Sequence, residues 1–165
     1  MLLRRLANQF VLGLVALDDI PVIAESLISD NIESPSLLRL LADVNQRHEE
    51  HNRLFQRALA ELGQVLPAKE DAAVELAALI ASRIGDGSVT PIVGATFIWK
   101  EIVEKLTTSP PQLWAFKSNA SAIEDCIADT KQFGSDHDDL IERCNREIVD
   151  AAELLARGLQ SEPLI

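Results

Sequence analysis

At 165 residues, 47% hydrophobic and 25% charged, the chain has the composition of an ordinary folded protein, which excludes intrinsic disorder and predicts one domain spanning 1–165. A net charge of −11 opposes phosphate backbones and argues against nucleic acid as a partner, and no apolar run approaches the ~18 residues of a bilayer span. Tyr is absent and aromatics are 4%, so the Leu- and Ala-rich composition favours helices over strands.

Arg4 and Arg5 precede an apolar run, as a signal peptide would have it, but Asn8 and Gln9 interrupt that run. Leu3, Leu6, Phe10, Leu14 and Leu17 instead form a helical stripe, so the expectation is an amphipathic first helix and a cytoplasmic protein. Asp18 or Asp19 is expected to cap a short second helix, with Pro21 in its first turn and its end near Asp30. Ser34 caps the third, Pro35 opens it, and the pattern predicts the longest helix of the chain over Pro35 to Leu62.

Along that helix Leu37, Leu41, Val44, His48, His51, Phe55, Ala58 and Leu62 recur in steps of four and three. His48 and His51 therefore fall on its apolar side, and both are expected to be substantially buried, with at least one imidazole hydrogen-bonded. Arg47 and Glu50 beside them should be more exposed.

Pro67 leads the next helix, from about Ala68 to Ile84, and Gly85-Asp86-Gly87 stops it. Thr90-Pro91 starts another, reaching Leu106, in which Gly94 permits close helix approach. Ser109-Pro110-Pro111 begins a region ending near Phe133, with a candidate break at Ser118-Asn119. Ser135 and Asp138 form a capping-box-like start for the last helix, which ends at Arg157 with Gly158 behind it. No alternating strand pattern survives, so the fold class is all-α: a compact single-domain bundle of six to seven helices.

Charge is uneven along the chain. Residues 1–17 carry +2, 18–43 carry −5, 44–123 carry −1 and 124–165 carry −7. On the last helix Asp139–Arg143, Glu142–Arg146 and Glu153–Arg157 stand four apart and describe a solvated face. The acids left over, Asp18, Asp19, Asp30, Glu33, Asp125, Asp129, Asp136 and Asp138, are the candidate recognition surface for a basic protein. Trp114, after Pro110-Pro111, is a candidate exposed anchor.

Catalytic signatures are missing: there is no GxGxxG, no phosphate-binding loop and no GxSxG. His48-Glu49-Glu50-His51 has the wrong spacing for a metalloprotease helix, and no Glu-x-x-His pair supports a di-iron site. A zinc site built from His48, His51, His137 and Cys144 stays open as an alternative. Cys126 and Cys144 are expected to be reduced thiols, and no cofactor is implied.

The run Glu33-Ser34-Pro35-Ser36-Leu37-Leu38-Arg39-Leu40-Leu41-Ala42, with the helix end Ala58-Leu59-Ala60-Glu61-Leu62-Gly63, resembles small helical bacterial proteins. In overall type, small, acidic and helical, the chain is similar to immunity proteins of bacterial toxin systems. That similarity implies a non-enzymatic protein that occludes the active site of a basic toxin such as a nuclease. The alternatives are a metal-binding enzyme or sensor, and a homodimer or scaffold using the first helix or the Trp114 region.

Overall fold

The computed structural model describes residues 2–42, 48–134 and 136–160, without the side chains of His48, Leu159 and Gln160. Among the described residues there are eight α-helices and no strand. Chain contacts divide the molecule into two units, Met1–Ala72 and Ala73–Ile165.

The first unit contains α1 (Leu2–Val11), α2 (Ile20–Ser29), α3 (Pro35–Ala42) and α4 (His48–Glu61). Leu6 and Ala7 from α1, Ile20, Ala24 and Leu27 from α2, and Leu37 and Leu40 from α3 meet Leu54, Phe55, Ala58 and Leu59 from α4 in one core. The Phe10 and Phe55 rings meet edge to face at 5.3 Å between centroids.

The single helix expected over Pro35 to Leu62 is two, α3 and α4, which explains why eight helices replace the expected six to seven. Ser36 and Glu61, which would stand about 37 Å apart on one straight helix, are hydrogen-bonded. The Glu61 carboxylate accepts the Ser36 N–H through Oε2 and the Ser36 hydroxyl through Oε1, both at 2.9 Å. Helix α4 therefore runs back along α3. Val44, Asn45, Gln46 and Arg47 lie outside the described residues. The expected stripe is rotated as a result: Leu40, Leu54 and Leu59 are buried, while Leu41 is 39% exposed.

Caps agree in part. Ser34 Oγ accepts the Leu37 N–H at 3.2 Å, as an N-cap should. Asp19 stands at the N-cap of α2 but does not cap it through its side chain. Leu17–Asp19 is already a 3₁₀ turn, and Asp19 has helical rather than extended backbone angles (φ −84°, ψ −15°), which carries its carboxylate away from the first free N–H groups.

In the second unit, α5 (Lys69–Gly85) begins before the boundary and is followed by α6 (Pro91–Phe97), α7 (Trp114–Phe133) and α8 (Asp138–Gln160). The helix expected to run from Pro91 to Leu106 changes pitch: Ile98–Ile102 is a π turn and Val103–Lys105 a 3₁₀ turn. The Val103 N–H reaches back to the Ile98 carbonyl, so residues five apart become neighbours and Val103 joins Ile98 and Ile102 in the core.

Helix α7 is unbroken at Ser118-Asn119, and the Asn119 side-chain amide donates to the Ala115 carbonyl within it. It ends at Gly134, whose φ of +72° is the left-handed geometry that favours glycine after a helix. Helix α8 continues through Gly158 to Gln160 rather than stopping at Arg157. The Ser135 cap lies outside the described residues, but Asp136 Oδ1 accepts the Asp138 N–H at 3.1 Å. α8 packs along α7 and against α6, and it buries Cys144, Ile148, Ala152 and Leu155.

Candidate functional site

The acids singled out in the sequence fall into separate groups. In the first unit Asp18 and Asp19 precede α2, whereas Asp30 and Glu33 follow it, and all four are exposed. A ten-residue helix separates the pairs, about 15 Å of rise. They do not form one patch by contact along the chain.

The second unit is different. Asp125 and Asp129 lie in the C-terminal half of α7, and Asp136 and Asp138 stand where α8 begins, so the short link after Phe133 brings all four to one end of the α7–α8 hairpin. His137 Nε2 lies 2.6 Å from Asp129 Oδ2, tying the start of α8 to α7 across the link. Asp125, Asp136 and Asp138 are exposed. Nearby Glu124 is held by Lys100 at 2.5 Å, whose ammonium also sits 5.1 Å from the Trp99 ring. On the outer face of α8, Glu142–Arg146 and Glu153–Arg157 form the expected pairs at 2.7 and 2.6 Å.

Trp114 opens α7, fifteen residues and about 22 Å of helix from Asp129. It is 64% exposed, and its indole N–H donates to the Ser109 carbonyl at 3.4 Å. Beside it the second unit has a hollow of about 490 Å³ lined by Val74, Gln112, Ala115, Ala151, Leu154, Leu155 and Gly158. The sequence reading named Trp114 but missed the hollow. Its only sequence signal is the run of small residues Ala115, Ala151 and Gly158 at its wall, a pattern that close helix packing produces equally well.

Of the candidate metal ligands, His137 and Cys144 belong to the second unit and His51 to the first. His137 is engaged with Asp129, and Cys144 is buried. His51 is partly exposed as a residue but its ring nitrogen Nδ1 is shut off from solvent, on the side of α4 that also buries Phe55 and Ala58, as the stripe predicts. The His48 side chain lies outside the described residues. Among the described residues, no three His, Cys, Asp or Glu side chains are grouped as a metal ion would require.

Electrostatics point the same way. Both cysteines are free and buried, and burial pushes the Cys144 thiol up, reinforced by the nearby Glu147. A thiol held protonated is a poor nucleophile. The depressed carboxylates have structural causes: Glu61 is held low by the Ser36 N–H and hydroxyl, Asp86 by the hydroxyl and N–H of Ser88, and Glu50 by Arg53. Among the described residues no helix is long and apolar enough to cross a membrane. Comparison with protein-family models, curated proteins and solved structures finds no match to the chain.

Proposed function

We propose that this is a non-enzymatic binding protein that engages a basic protein partner through the acidic end of the α7–α8 hairpin. The observation that carries the reading is the gathering of Asp125, Asp129, Asp136 and Asp138 at that end, in a stretch, 124–165, of charge −7. Such a field raises the encounter rate with a Lys- and Arg-rich surface and repels acidic competitors. In its most specific form the partner is a bacterial toxin, for example a nuclease. The protein is then its immunity partner, covering the basic groove that the toxin presents to its substrate.

Asp18 with Asp19, and Asp30 with Glu33, serve in this reading as two secondary acidic spots, one at each end of α2. The test is coexpression with the product of the gene adjacent to its own. Rescue of growth and a stoichiometric complex weakened by added salt are expected. The reading fails if the wild-type protein neither binds that product nor protects against it.

A further inference from the structure

We propose that the hollow of the second unit binds an uncharged, mainly hydrocarbon small molecule carrying one hydrogen-bonding group. Its volume of about 490 Å³ lies within the ~300–1,000 Å³ typical of small-ligand pockets. Ala115 from α7 and Ala151 and Gly158 from α8 leave recess where a Leu or Ile would fill it, and Val74 and Leu155 complete a hydrocarbon wall.

Charge selects the occupant. A quarter of the chain is ionisable, yet among the described residues no Asp, Glu, Lys or Arg lines the hollow. An anion would enter against the −7 carried by residues 124–165. A cation would leave water for a wall without a carboxylate, and an unpaired charge in apolar surroundings is strongly disfavoured. A neutral ligand meets neither obstacle. Among the described residues Gln112 supplies the wall's one polar side chain, whose amide both donates and accepts and so suits a single hydroxyl or carbonyl. Leu154, 68% exposed at the wall, is the surface such a ligand would cover.

Three eight-carbon probes test this on the full chain: octanol, octanoate and octylammonium, titrated at neutral pH while the methyl signals of Ala115, Ala151 and Leu155 are followed by NMR. Octanol should shift these signals saturably, with octanoate and octylammonium at least tenfold weaker. Ala151→Leu, which fills the recess, should weaken octanol at least tenfold while leaving the thermal midpoint unchanged or raised. Asp136→Asn, at the other end of α7, should leave octanol binding intact, which separates this proposal from the protein-binding one. Equal response to all three probes, no saturation, shifts centred elsewhere, or wild-type binding by a folded Ala151→Leu protein would each overturn it. So would concentration-dependent shifts of the same methyls without any probe, which would make a second copy of the chain the occupant.

Discussion

Ser34 and Ser36 show how a few polar atoms start a helix inside a largely apolar unit. Ser34 Oγ takes the Leu37 N–H, and Glu61, arriving from the far end of α4, takes the Ser36 N–H. Pro35 has no N–H to satisfy, and of the three N–H groups that this helix start leaves unpaired two are thus satisfied, one locally and one through the fold. Ser34→Ala should cost about 1 kcal/mol in urea denaturation, the usual loss of a side-chain cap.

Glu61 also fixes a pH dependence. Its carboxyl is held below the ordinary carboxylate range chiefly by the Ser36 N–H, so the bound form is the ionised one. Its contribution is present above the unfolded pKa and is lost as pH falls through the lowered folded value. Glu61→Gln should therefore be less stable than wild type at pH 7, with the gap closing as the urea midpoint is followed from pH 6 towards pH 3. Cys144 gives a third test at this scale, because it is buried and its thiol is pushed up. Alkylation by iodoacetamide at pH 7.5 should be slow in the native protein and fast in urea.

Among whole elements, the α5–α6 approach depends on one missing side chain. A Cβ on Gly94 would lie 2.6 Å from Ile84 Cδ1 and 2.7 Å from its Cγ1. Ile84 is itself buried, so moving it aside disturbs the core around it. Gly94→Ala gains about 1 kcal/mol of helix propensity, but overpacking of this kind costs about 1–3 kcal/mol. The expected result is a lower thermal midpoint, and an unchanged or higher one would show that α6 can slide.

Element boundaries marked by proline and glycine were legible in the sequence: Ser34-Pro35, Pro91, Pro111 and the Gly85-Asp86-Gly87 stop each mark a real end or start. The return of α4 along α3 was not. The four-and-three rhythm keeps its phase from Leu41 to His51, and periodicity reports which side of a helix is apolar, not whether the chain has turned back. The π turn escaped for a related reason, since Ile98 and Ile102 fit an α-helical stripe as well, and only Val103 distinguishes the two. The acidic end of α7–α8 was half legible. Its four acids lie within one stretch of sequence, whereas the equally suggestive Asp18 to Glu33 stretch is divided by α2.

For the whole molecule, the separation of charge from stability is what makes the proposed binding role testable. Asp125, Asp136 and Asp138 are exposed, and none is needed to balance a buried charge among the described residues. Substitution of all three by Asn keeps the Asp136-type acceptor for the residue 138 N–H, because an Asn side-chain oxygen accepts as well. It also removes three units from the stretch 124–165 of charge −7. The triple variant should keep its urea midpoint to within about 0.5 kcal/mol per site, as exposed positions generally do. Its association rate with a basic protein partner should nevertheless fall by about tenfold or more at low salt, within the range attributed to electrostatic steering. The difference from wild type should shrink as ionic strength rises and the Debye length contracts from about 10 Å at 0.1 M towards about 3 Å at 1 M. Stopped-flow mixing across a salt series measures this directly. A rate unchanged by the substitutions, at preserved stability, would remove the α7–α8 end from the interface and leave the Asp18 to Glu33 side of the first unit as the surface to examine.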